Sequence, residues 1–146
     1  MKGFLLDANV ISELVKARPH PKVAAWVESI EETLLYLSVL TLGEIRRGIA
    51  ALDKPARRAR LAAWLETDLR PRLAGRILPI DEAVADRWGA ITGSAAVRGK
   101  PLPVIDGLLA ATALHHNLTL VTRNESDVAG TGIVVFNPWH NGLGGL

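Results

Sequence analysis

Four acidic residues stand where a chain of this kind can do chemistry. Asp7 directly follows the apolar run Phe4-Leu5-Leu6, and Glu44 lies at the start of a helical pattern that follows a second apolar run. Asp106 opens an otherwise apolar helix, between Val104-Ile105 and Leu108-Leu109, and Asp127 lies in a polar loop after an apolar run ending at Thr122. Ligands of open parallel sheets bind outside the carboxyl ends of the strands, and all four acids can face that edge. Converging carboxylates repel one another and raise one another's pKa, which a divalent cation relieves. Mg²⁺ and Mn²⁺ take oxygen ligands, and such an ion lowers the pKa of a bound water and stabilises charge on a phosphate. The chemistry in prospect is metal-assisted attack on a phosphate ester.

Each acid also has a purely structural reading. Asp7 can cap the helix that follows it. Glu44 can be the reciprocal half of a capping box with Thr41. Asp106 can serve the dipole of its helix, and Asp127 can be an ordinary turn residue. Other chemistries are poorly supplied. The chain has no cysteine, which removes disulfides, zinc–thiolate sites and thiol nucleophiles together. Of the four histidines, His115 and His116 are adjacent while His20 and His140 lie far off, so no His-x-x-x-His pair exists.

The elements that must position these acids alternate. Short apolar strands are expected at 4–6, 34–40, 76–80, 118–122 and 133–136. Between them run helical patterns at 9–16, 22–30, from Thr41 to Leu52, from Pro55 through Leu69, at 82–97 and from Pro103 to His116, the last ended by Asn117. This order predicts a three-layer α/β/α fold around a central parallel sheet, and the fully apolar strands fit a sheet covered on both faces. The 146 residues suit one domain, read as 1–140, with a mobile glycine-rich tail at 141–146. No apolar stretch reaches the ~18 residues of a membrane span, and Asp7 interrupts the N-terminal run too early for a signal peptide. A cytoplasmic protein with no membrane association is expected.

The net charge is only +2, yet nine Lys/Arg against three acids lie between Arg46 and Arg76. Such asymmetry suits a polyanion or an acidic partner, and equally a solvated helix face. Trp26, Trp64, Trp88 and Trp139 are spaced as core or interface residues rather than as a stacking platform.

Taken together, these segments resemble the PIN-domain family. Leu5-Leu6-Asp7-Ala8-Asn9-Val10-Ile11 is similar to its opening, Ser38-Val39-Leu40-Thr41-Leu42-Gly43-Glu44 to its second motif, and Val104-Ile105-Asp106-Gly107-Leu108 to its third. Leu120-Val121-Thr122-Arg123-Asn124-Glu125-Ser126-Asp127 is similar to the fourth, and Asn137-Pro138-Trp139 to the close of the FitB/VapC branch. The resemblance spans about residues 3–139. It implies an Mg²⁺- or Mn²⁺-dependent endoribonuclease, the toxin of a VapBC-type pair, restrained by a small VapB-like antitoxin and commonly a homodimer. It implies that Asp7, Glu44, Asp106 and Asp127 are the metal and catalytic carboxylates, with Asn9, Ser38 and Asn124 as supporting polar groups. Arg46 and Arg47 are candidates for RNA phosphates or for an acidic group of the antitoxin. Ala8, Gly107 and Val128 depart from the residues more usual at their positions. They leave the placement of Asp127 the least determined, with a water-mediated role open to it.

Three other readings compete. A PIN-like module could bind RNA or a partner without catalysis, although all four acids are present. A phosphatase using Asp7 as nucleophile would want a second acid where Asn9 stands. A receiver module would need a phospho-accepting Asp after its third strand, for which Ile80-Asp81 is a poor substitute.

Overall fold

A computed structural model describes residues 2–140. The tail 141–146, expected to be mobile, lies outside the described residues. Strand β1 (Phe4–Leu6) leads into α1 (Ala8–Leu14) and α2 (Pro21–Ser29). A 3₁₀ turn (Glu32–Leu34) then enters β2 (Leu35–Ser38), followed by α3 (Val39–Ala50) and α4 (Pro55–Trp64). Helix α4 continues through a π-helical turn (Leu65–Leu69) into α5 (Arg70–Arg72). Pro71 lies just beyond the widened turn and accounts for it. Its ring has no N–H to give and would clash with the carbonyl four residues earlier. The chain closes with β3 (Ile77–Leu78), α6 (Glu82–Val97), α7 (Val104–His116), β4 (Thr119–Val121), a 3₁₀ turn (Glu125–Val128) and β5 (Val135–Phe136).

All five strands are parallel, in the order β3-β2-β1-β4-β5. The chain builds outward from β1 to β2 and β3, then returns to lay β4 and β5 on the other side. The switch point is therefore the β1/β4 seam, where Leu6 pairs with Val121. Strand alternation divides the core into two layers. Leu6, Leu35, Leu37 and Val121 pack with α1–α4 and the π-helical turn around Trp26, which is fully buried and lies edge-on to Phe4 at 5.1 Å. Leu5 and Leu120 face the other way, onto Leu109, Ala110 and Ala113 of α7. This is the expected three-layer α/β/α fold.

The boundaries differ instructively in one place. Strand β2 ends at Ser38, and the helix begins at Val39 rather than Thr41. Ser38 has extended φ/ψ and its Oγ accepts from the Leu40 N–H at 3.0 Å, so Ser38 is the N-cap. Thr41 is the third residue of the helix and buried, its hydroxyl without a partner, so no Thr41–Glu44 capping box exists. Glu44 sits in the second turn, free of any capping duty. Helix α7 ends as expected, at Asn117 in the left-handed conformation with φ 56°.

Candidate active site

Asp7 emerges at the carboxyl end of β1, on the switch-point seam. Its backbone N–H continues the ladder by donating to the Val121 carbonyl. Its two carboxylate oxygens have separate tasks. Oδ1 accepts from the Ala8 N–H at 2.7 Å and caps α1. Oδ2 accepts from the Thr122 hydroxyl at 2.7 Å and, more weakly, from the Asn9 amide at 3.4 Å. The cap on α1 therefore leaves Oδ2 to Thr122 and Asn9 at the sheet's edge.

Thr122 is the residue that sequence reasoning missed. It is 1% exposed, and its hydroxyl donates to Asp7 while accepting from Asn9 Nδ2 at 3.2 Å and from the Asn124 N–H at 3.0 Å. The signal was present as a hydroxyl closing an apolar strand. Only the β1/β4 pairing reveals that it faces Asp7. Asn9 completes the network, its Oδ1 accepting from the Arg123 N–H at 3.4 Å. Asn124 contributes through its backbone. Ser38 is buried and its hydroxyl caps α3, so it supports Glu44 by fixing the helix that carries it.

Glu44 and Asp106 are half-buried, and both carboxyls are held above their usual range. For Glu44 the chief cause is burial, followed by the charge of Asp7, with Arg47 opposing and Asp106 adding. For Asp106 burial again leads, then the charges of Asp127 and Asp7. Glu44 thus feels the charges of Asp7 and Asp106, and Asp106 those of Asp127 and Asp7. Asp127 itself is exposed on the 3₁₀ turn that buried Val128 anchors. Among the described residues no three acidic or histidine side chains stand close enough to hold an ion without moving. One oxygen of Glu44 is nevertheless buried with no hydrogen-bond partner. A buried, unpartnered carboxylate oxygen is costly in a folded protein and asks for a cation or a donor. An all-oxygen donor set in which the Glu44 and Asp106 carboxyls are raised fits Mg²⁺ or Mn²⁺.

The two arginines part company. Arg47 lines a cleft of about 270 Å³ with Val39, Leu40, Gly43, Glu44 and Ile105. Arg46 is engaged by Glu66, on the π-helical turn. A second, larger groove of about 740 Å³ lies between α1, α3 and α4, floored by Val15, Ile45, Ile49 and Leu61 and rimmed by Lys16, Arg57 and Arg60.

Residues 4–129 match the model of the PIN domain. The chain belongs to the PIN-domain family. It is 42% identical over 138 residues to Toxin FitB of Neisseria gonorrhoeae, covering 94% of this chain and 99% of that protein. It is 39% identical over 136 residues to VapC ribonuclease Y4jK of Sinorhizobium fredii, covering 93% and 97%. The crystal structure of FitAcB from Neisseria gonorrhoeae superposes with a TM-score of 0.91 at 42% identity, covering 94% of this chain and 99% of that one. The PIN fold expected from the motifs is thus shown.

Proposed function

We propose that this PIN-domain chain is a divalent-metal-dependent endoribonuclease and the toxin of a VapBC-type toxin–antitoxin pair. The carrying observation is the buried, unpartnered oxygen of Glu44, whose carboxyl is raised by burial and by the charges of Asp7 and Asp106. The relatives named as a toxin and as a VapC ribonuclease, similar along nearly their whole lengths, support the same reading.

In this reading Asp7, Glu44 and Asp106 would hold Mg²⁺ or Mn²⁺, and Asp127 would assist them. Such an ion, when bound, lowers the pKa of water and offsets charge on the scissile phosphate. Asp7 offers its lone pairs in an orientation already fixed by Ala8 and Thr122. Glu44 or Asp106, whose carboxyls are raised by burial and then by neighbouring acids, would orient the attacking water. Arg47, in the cleft beside Glu44, meets a neighbouring phosphate of the RNA. Attack by water leaves a 5′-phosphate on the product.

The antitoxin partner belongs to the same proposal. The groove between α1, α3 and α4 has an apolar floor and a basic rim, which suits an amphipathic segment carrying acidic residues. This gives Arg57 and Arg60 a task other than RNA. A homodimer remains part of the reading, with the exposed Val97 and Val104 as apolar surface open to it. No described helix is long and apolar enough to cross a membrane, and a cytoplasmic location suits an RNA substrate.

The test is cleavage of structured and unstructured RNA by antitoxin-free protein in Mg²⁺, Mn²⁺ or EDTA, beside an Asp106→Asn control. Metal-dependent cutting that leaves 5′-phosphates and is lost in the control is expected. A 2′,3′-cyclic phosphate product would overturn the water mechanism, since it requires attack by the RNA 2′-hydroxyl.

A further inference from the structure

The C-terminal segment after β5 lies beyond the stretch matched by the PIN-domain model, which ends at residue 129. It is nonetheless tightly built. Asn137 is 1% exposed and Trp139 is buried. The Asn137 amide faces two ways. Its Oδ1 accepts from the Trp139 N–H at 2.9 Å, an Asx turn that starts the segment. Its Nδ2 donates to Glu125 Oε2 at 3.1 Å and lies 3.4 Å from the Arg123 carbonyl. The Arg123 guanidinium in turn lies 5.2 Å from the centroid of the Trp139 ring. The buried Glu13 carboxyl of α1 is held below its usual range chiefly by Lys16 and then by the His20 N–H, with Trp139 the smallest influence.

These contacts converge on one short stretch of chain. Residues 122–127 carry the Thr122 hydroxyl that grips Asp7, the Asn124 N–H that grips Thr122, and Asp127 on the following turn. Apart from Val128 the stretch from Arg123 to Gly130 is exposed, so few apolar contacts define its path. The Asn137 amide is a buried group that reaches it from the C-terminal side, as Asn9 Oδ1 does from α1 by accepting from the Arg123 N–H. We infer that Asn137 is a positioning residue, whose NH₂ group holds the 122–127 stretch so that Thr122 and Asp127 keep their places relative to Asp7 and Asp106.

The two faces of the amide separate this role from a plain turn. Aspartate at 137 keeps the oxygen that accepts from Trp139 but has no hydrogen to give, and it sets a carboxylate against Glu125. A turn-forming role predicts that Asn137→Asp is disturbed only by repulsion from Glu125, which Glu125→Ala relieves as fully as Glu125→Gln. A positioning role predicts a disturbed loop, repaired when Glu125→Gln supplies the missing donor from the other side and not when Glu125→Ala merely removes the charge. This rests on the nuclease reading only where activity is concerned, so the first readout is amide hydrogen exchange of 122–128 in the parent, Asn137→Asp, Glu125→Gln and the double variant, with Asn137→Asp/Glu125→Ala as the charge-removing comparison. Exchange at Asn124 and Asp127 faster by about tenfold in Asn137→Asp, with β1 and α7 unchanged and the double variant restored, is expected. RNA cleavage by the same proteins should show kcat reduced about tenfold with KM little changed, again restored in the double variant. Parental exchange in Asn137→Asp, a loss that Glu125→Gln leaves unrepaired, or a repair by Glu125→Ala as complete as that by Glu125→Gln, would overturn the inference. If the parent fails to cleave RNA, the exchange result still decides the role of Asn137, and only the nuclease reading falls.

Discussion

The Thr122 hydroxyl donates to Asp7 Oδ2 at 2.7 Å across the β1/β4 seam, 115 residues apart in the chain. A hydrogen bond to a charged group contributes about 1.5–3 kcal/mol. Losing it from the ligand array should cost roughly ten- to hundredfold in rate. Thr122→Val should therefore cleave RNA that much more slowly, and Thr122→Ser should stay near the parent. Single-turnover rates measured beside melting curves would check this, and a Thr122→Val enzyme at full speed would detach Thr122 from the site.

Glu44 and Asp106 have carboxyls raised on folding, so the folded state binds protons more tightly there than the unfolded chain does. With more protons bound when folded, stability falls as pH rises. The fall begins near the ordinary values of 4.5 for Glu44 and 3.8 for Asp106 and is complete above their raised ones. In EDTA at neutral pH, Glu44→Gln and Asp106→Asn should each melt higher than the parent. Equal or lower melting temperatures would mean that the charges are not in conflict.

Addition of Mn²⁺ or Mg²⁺ should reverse this order. An ion that binds only the folded state stabilises by mass action, about 2.7 kcal/mol at a hundredfold excess over Kd. The parent should rise in melting temperature with ion concentration, while Glu44→Gln and Asp7→Asn respond weakly. A parallel rise in all three would place ion binding elsewhere.

Gly107 allows α7 to lie close against α6. A Cβ there would stand 3.2 Å from Trp88 Cδ1 and Nε1 and 3.4 Å from Thr92 Oγ1. Alanine gains about 1 kcal/mol of helix propensity, and overpacking costs about 1–3 kcal/mol. Gly107→Ala should change the melting temperature little yet displace the neighbouring Asp106, with cleavage falling severalfold. Full activity would show that Asp106 tolerates the shift.

The basic rim of the α1/α3/α4 groove should matter to the antitoxin and not to RNA. Arg57→Glu with Arg60→Glu should weaken antitoxin binding tenfold or more by reversing charge at the rim, with cleavage by free toxin unchanged. Titration calorimetry and an RNA assay on the same preparation would separate the two, and intact binding would remove the groove from the interface.

Much of this was legible in the chain because strands of Leu and Val covered on both faces admit few arrangements. Asp7 could be assigned to the sheet's edge because the apolar run stops there. The start of α3 was misread because Ser38 and Thr41 are both good caps, and only the β2 register with β3, pairing Ser38 with Leu78, decides between them. Thr122 and Asn137 were not assigned these roles because their partners lie across the fold, and local spacing carries no trace of such contacts. The division between Arg46 and Arg47 likewise depended on Glu66, which the π-helical turn brings into reach.

The sheet's outer strands, β3 and β5, are two residues each. An edge that short gives a foreign strand almost no ladder to extend, which protects against edge-to-edge aggregation. Among the described residues a strand added at either edge would find only these two-residue strands to pair with. Whatever associates with this molecule has to be chosen by side chains on its helices and loops, where specificity can change by single substitutions without disturbing the sheet that holds Asp7.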